Sequence, residues 1–208
     1  MREHRVFAAL YDRLGRRAER GPLGARRRQL LRSASGRVLE IGAGTGANLP
    51  HYTGLARLVL TEPDAAMRRR IAARLPGAPC PVEVLDAPAE DLPLADGSVD
   101  AVVATLVLCS VDDPDRALAE ARRVLRPGGR LLFLEHVRAE GRIAWWQRRL
   151  TPAWRRLVPG CHLDRDSVGA IRRAGFAVTE LRRVDDVPAL PFAKPMVAGV
   201  AHAPVAGG

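Results

Sequence analysis

The chain is poor in three kinds of residue, and each shortage closes off a class of function. Cysteine occurs only at Cys80, Cys109 and Cys161 in 208 residues, an odd number with no C-x-x-C pair. That argues against a disulfide framework and against a zinc site of the finger or ribbon kind, so no metal is expected. Aromatic residues make up 4% of the chain, few for a surface that stacks bases, and no nucleic-acid motif accompanies them, so no nucleic-acid partner is expected. Lysine occurs only at Lys194, so the formal charge of +10 is carried by arginine. The arginine clusters at 26–28, 68–70, 122–123, 155–156 and 172–173 are scattered over many segments. Such scatter suits solvated bases, although peripheral contact with an anionic membrane would also use them. No run approaches the roughly 20 apolar residues that cross a bilayer. The start "MREHRVFAALYDRLGRRAERG" is charged throughout, without the apolar core of a signal peptide. A cytoplasmic protein is the expectation.

Hydrophobic residues are plentiful, at 47%, enough for one globular domain over residues 1–208. Apolar runs alternate with helical stretches, the pattern of a parallel α/β sheet. "RVLEI", "LARLVLTE", "VEVLD", "VDAVVATLVL" and "RLLFLEHV" read as five strands. Asp64 caps a helix over "AAMRRRIAARL", and Asp113 with Pro114 starts another that "RPGG" ends. Residues 4–32 read as basic helices broken near "RGPLG", covering the domain. Between 138 and 174 the chain reads as a helical lid. "RIAWWQRRL" is one helix, Thr151 and Pro152 cap and start a second, and "DRDSVGAIRRAG" ends at Gly175. "FAVTELRRVD" and "PMVAGVAHA" are the last two strands.

The stretch "VLEIGAGTGANL" joins the first strand to a helix through glycines. Such a turn aims backbone N–H groups at the carboxyl edge of the sheet, where open α/β folds take ligands. Gly42 to Ala47 satisfy a dinucleotide pattern, but Glu40 stands two residues before the first glycine. A carboxylate there repels a pyrophosphate and favours a cationic ligand end. S-adenosylmethionine carries an ammonium and a sulfonium and no phosphate. Glu62, at the end of the second strand, stands where an acidic side chain accepts the hydroxyls of an adenosine ribose.

"VLEIGAGTGANL", "TEPD", "AEDLPLADGSVDAVVATLVLCSV" and "EARRVLRPGGRLLFLEHV" together resemble the class I S-adenosylmethionine-dependent methyltransferases. "TLVLCSV", "LRPGG", "EHV" and "GCHLDRD" resemble more narrowly the alkyl thiol S-methyltransferases of the methyltransferase-like seven group. Similar stretches occur in bacterial phospholipid and small-molecule methyltransferases. The resemblance implies an α/β fold: a Rossmann-like, seven-stranded methyltransferase sheet with helices on both faces and the last strand antiparallel. It implies S-adenosylmethionine as cofactor, S-adenosylhomocysteine as product and a small-molecule acceptor, with a thiol expected. Phospholipid N-methylation, O-methylation of a natural product and non-catalytic cofactor binding are the alternatives.

The resemblance places Glu40, Gly42, Ala43, Gly44, Gly46 and Asn48 around the methionyl group, and Glu62, Pro63 and Met67 by the ribose. Pro88, Ala89 and Glu90 would flank adenine, Thr105 and Leu106 the methyl-transfer side, and Tyr11 the cofactor from the N-terminal cover. His136, ending the fifth strand, and His162, in the "GCHLDRD" loop, have the titration range for a base that takes the acceptor's proton. Cys109, Cys161, Trp146 and Trp154 are candidates for the acceptor pocket. The chain also lacks the hydrophobic N-terminal anchor of the animal thiol enzymes that it resembles.

Overall fold

The computed structural model describes residues 18–158 and 160–205. Seven strands form one sheet: β1 (Gly36–Ile41), β2 (Leu55–Thr61), β3 (Val82–Leu85), β4 (Val99–Thr105), β5 (Leu125–His136), β6 (Ala177–Val184) and β7 (Met196–His202). Their order across the sheet is β3-β2-β1-β4-β5-β7-β6. The first five pair in parallel, and β7 runs antiparallel to both β5 and β6. The expected antiparallel last strand is therefore present, inserted one place in from the edge.

The central strands are buried on both faces, which is why they read as nearly unbroken apolar runs. Alternate residues feed two cores. Leu39, Ile41, Val102, Ala104, Leu131 and Phe133 pack with α3 (Pro114–Val124) and α5 (Ser167–Arg173). Val38, Ala101, Val103, Leu132 and Leu134 pack with α1 (Pro22–Leu31) and with Ile71 of α2 (Ala65–Ala72). Each large side chain so buried contributes about 1.5–3 kcal/mol.

The cap signals act as written. Asp64 accepts from the amides of Ala66 and Met67, and Asp113 from those of Asp115 and Arg116. One element differs. Residues 141–157 form a single helix, α4 (Gly141–Leu157), with Pro152 inside it. Thr151 is no cap: its hydroxyl donates to the Gln147 carbonyl at 2.7 Å. Pro152 lies on the exposed face, where water can take the carbonyl its missing N–H leaves unserved. Residues 138–174, expected as a helical lid, also contribute to the main core through Ala170 and Ile171 of α5.

Candidate active site

The site begins where β1 gives way to the glycine turn. Gly42 has φ +58°, and a Cβ there would sit 2.2 Å from Val107 Cγ2. The turn can thus lie directly against the loop after β4 only as glycine. Gly42→Ala is expected to destabilise the protein by about 1–3 kcal/mol, read as a lower denaturant midpoint at unchanged slope. Gly44 also has a positive φ, +58°, but a Cβ there would meet nothing within 4 Å. Open space in front of a glycine turn is what a ligand needs to approach the backbone closely.

Two carboxylates flank this space in different states. Glu62 is 7% exposed; it accepts from the Gly44 amide at 2.8 Å and the Asp64 amide at 2.9 Å. Each oxygen keeps a lone pair for a further donor, which fits the vicinal hydroxyls of a ribose. Burial pushes its carboxyl above the usual range, and the two amides work against that rise. Glu40 is 2% exposed; it accepts from Tyr52 Oη at 2.7 Å and Asn48 Nδ2 at 3.0 Å. Burial, partly offset by Tyr52 and Arg27, raises its pKa to about 7. Glu40 is therefore not the bare negative charge expected at the strand end. With its carboxyl raised by burial to about 7, Glu40 is only partly ionised at neutral pH, and its hydrogen bonds to Tyr52 and Asn48 work against that rise.

Arg27 of α1 closes that network. Its guanidinium donates to Asn48 Oδ1 at 3.0 Å, Thr105 Oγ1 at 2.8 Å and Glu19 at 3.0 Å. Asn48 also donates to Thr105 at 2.9 Å, so Glu40, Asn48, Thr105, Tyr52 and Arg27 act as one unit. A buried, fully partnered network of this kind holds its members in one geometry.

The side expected to take the acceptor is built after β4. Leu106 is the one described non-glycine residue with a positive φ, +59°, a conformation that costs about 1–3 kcal/mol. It turns the chain so that the amides of Val107 and Leu108, at 2.9 Å each, and Cys109, at 3.3 Å, all donate to the buried Glu135 carboxylate. Arg165 holds the same loop from the other side, donating to the Leu108 and Val111 carbonyls at 2.8 and 2.6 Å. The His162 amide donates to the Cys109 carbonyl at 2.7 Å, so "LVLCSV" and "GCHLDRD" meet.

Their meeting brings three reactive side chains together. Cys109 Sγ lies 3.9 Å from Cys161 Sγ and 3.8 Å from His136 Nδ1. The thiols are 1% and 3% exposed, and Trp154, Phe192, Leu163 and Ala193 pack around them. The Cys109 thiol favours charge on Cys161, with His136 and Trp154 assisting, and holds that thiol down to about 4. The same interaction pushes Cys109 up, and burial and Glu135 add to the rise. The two thiols are thus coupled through one hydrogen bond, and ionisation of either one holds the proton on the other. The Trp154 indole N–H is buried without a hydrogen-bond partner and favours the thiolate from beyond bonding geometry. Half-buried His162 is kept neutral to lower pH by burial and by the Arg165 and Arg155 guanidiniums.

Other expected residues are placed less centrally. Tyr11 lies outside the described residues. Pro63 and Pro88 are exposed, while Met67 and Ala89 are buried. Glu90 accepts from the amides of Asp112 and Asp113 at 2.8 and 3.2 Å, which orients the loop before α3. Trp146 is 49% exposed and packs edge-on against Trp145, itself beneath the Arg149 guanidinium. Trp154 instead turns inward onto Phe192. Arg27, Tyr52, Glu135 and Arg165 were not among the expected residues. Among the described residues, no helix is long and apolar enough to cross a membrane.

Comparison with known proteins agrees with this geometry. Residues 39–133 match the family described as "Methyltransferase domain". Human thiol S-methyltransferase TMT1A is 39% identical over 170 residues, which cover 79% of this chain and 69% of that protein. Human thiol S-methyltransferase TMT1B is 41% identical over 161 residues, covering 74% of this chain and 66% of that protein. The fold matches a SAM-dependent methyltransferase of Thermotoga maritima with a TM-score of 0.71 and 25% identity, over 96% of this chain and 97% of that one. With the cofactor turn, the acidic residue after β2 and the loop after β4 all in place, the chain belongs to the class I S-adenosylmethionine-dependent methyltransferases, in the group that contains these thiol S-methyltransferases.

Proposed function

We infer that the protein transfers the methyl group of S-adenosylmethionine to the sulfur of a small thiol. One observation carries this reading: identity with a thiol S-methyltransferase runs over 170 residues, well beyond the generic methyltransferase region of 39–133. The likeness therefore extends beyond that region, which supports carrying the acceptor class over as well as the fold. S-adenosylmethionine, when bound, would supply an electrophilic methyl carbon on a sulfonium, with a neutral thioether as leaving group.

The residues of this chain then have limited tasks. Glu62 holds the ribose hydroxyls, and the glycine turn takes the methionyl carboxylate on its amides. Glu40, backed by Asn48 and Tyr52, receives the ammonium. The Val107–Cys109 loop, pinned by Glu135, forms the wall beside the methyl group and keeps water out. The acceptor must lose its proton. A free thiol, with a pKa near 8.5, needs only a weak base for that. His136 and His162 are the imidazoles that this reading offers for it, and burial with the Arg165 and Arg155 guanidiniums favours the neutral form of His162.

The test is a panel of thiols, phenols and amines incubated with purified protein and S-adenosylmethionine, with products identified by mass. Methyl thioethers are the expected products. Methylation of oxygen or nitrogen acceptors with thiols untouched would overturn the assignment.

A further inference from the structure

Cys109, His136 and Cys161 come from three separate segments: the loop after β4, the end of β5 and the loop after α4. Their spacing in sequence resembles no metal-binding motif, yet one ligand atom from each lies within 4.8 Å of the other two. A tetrahedral zinc-class ion with bonds of about 2.3 Å to sulfur and 2.0–2.1 Å to nitrogen needs neighbouring ligand atoms roughly 3.5–3.8 Å apart. The observed 3.9 Å between sulfurs and 3.8 Å from sulfur to nitrogen approach this, and the Cys161–His136 pair lies within 4.8 Å. We propose that these three side chains form a binding site for a zinc-class divalent cation, whose fourth coordination position takes the acceptor thiol.

Simple core packing accounts poorly for the arrangement. Two small thiols suit an apolar pocket, but the half-buried imidazole that shares their space does not. A cysteine pair destined only for a disulfide has no use for His136. The surroundings also supply what a metal site requires. Glu135 fixes the Cys109 backbone, the Ser167 hydroxyl donates to the His136 carbonyl at 3.1 Å, and the His162 amide ties the Cys161 loop to Cys109. Ligands held in place by such outer contacts bind metal more tightly. The pocket walls of Leu163, Phe192 and Ala193 would keep the ion dry.

Location gives the site its use. The Gly42 turn lies against Val107, two residues before Cys109, so the cluster adjoins the methionyl end of the cofactor site. Three protein ligands leave a tetrahedral ion with one open place, and a thiol that enters it is deprotonated outright. The S–H bond breaks as the sulfur–metal bond forms, and the proton passes to solvent. His136 then serves as ligand rather than as base. The thiol at the open place rests on the thiol reading above; the metal site itself does not.

Reduced full-length protein titrated with Co²⁺ alone should bind one ion per chain with intense thiolate-to-cobalt absorption, and Zn²⁺ should displace it. Cys109→Ser and Cys161→Ser should each weaken or abolish that absorption. Should the serine variants misfold, the unaltered chain still decides. Zn²⁺ should protect Cys109 and Cys161 from alkylation, mapped by mass, while Cys80 reacts at its usual rate. No cobalt absorption in reduced protein, or equal protection of all three cysteines, would overturn the proposal. Thiol methylation by protein that binds no metal would remove the site and leave the function standing. Metal binding without thiol methylation would do the reverse.

Discussion

Replacing Glu62 by alanine should weaken S-adenosylmethionine binding by about 1–3 kcal/mol, or roughly 5- to 150-fold, as read by calorimetry. Two losses combine. The ribose hydroxyls lose a charged acceptor, and the Gly44 amide, now served by Glu62 at 2.8 Å, loses the partner that holds the glycine turn in shape. Glu62→Gln separates them, because an amide oxygen can still accept from one backbone amide but cannot serve both sides of the site. An intermediate loss is expected for it. Affinity equal to that of the unaltered protein in both variants would remove Glu62 from the cofactor site.

Glu40→Gln should flatten the pH dependence of stability in the absence of ligand. The folded-state pKa of about 7 stands above the ordinary value of 4.5, so between these limits the native protein binds a proton that the unfolded chain does not. The sign follows: this contribution is fully present below pH 4.5 and is lost as pH rises through 7. The loss is about 3 kcal/mol. Denaturant unfolding at a series of pH values would show the slope in the unaltered protein and its absence in the variant. Cofactor binding should respond in the opposite direction. An ammonium placed beside Glu40 favours the carboxylate, so affinity should rise from pH 6 to pH 8 and the variant should lose that rise. A pH-independent affinity in the unaltered protein would place the ammonium elsewhere.

Much of this architecture is legible in the residues because the signals are local. Asp64 and Asp113 announce helix starts, and the paired apolar runs announce strands covered on both faces. Glu40 and Glu62 are legible for the same reason, since each sits at a fixed distance from the glycines. Arg27 is not. It stands in an "RRR" triplet that reads as solvent-facing, and only its position on the stripe of Leu23, Leu30 and Leu31 betrays that it faces inward. Tyr52 and Glu135 are hidden for another reason: each acts across the sheet, on a residue supplied by a different segment. Thr151 and Pro152 show the converse failure. Their local signal for a helix start is genuine, but the hydroxyl found a carbonyl four residues back, and α4 continued through.

The register of β7 has a consequence for how this enzyme can diversify. Met196 pairs with both His136 and Val184, and the Val137 amide donates to the Pro195 carbonyl. The start of the 137–176 excursion and both ends of the 185–195 excursion are thus tethered to one rim of the sheet, while 137–176 returns at the opposite rim, where Ala177 pairs with His202. Lengthening either costs only the slow logarithmic growth of loop entropy, about 0.6 kcal/mol per doubling. The half to which we assign the nucleoside is formed by β1, β2 and their turns and lies outside both excursions. A lineage can therefore rewrite what it methylates, segment by segment, while inheriting the donor machinery intact.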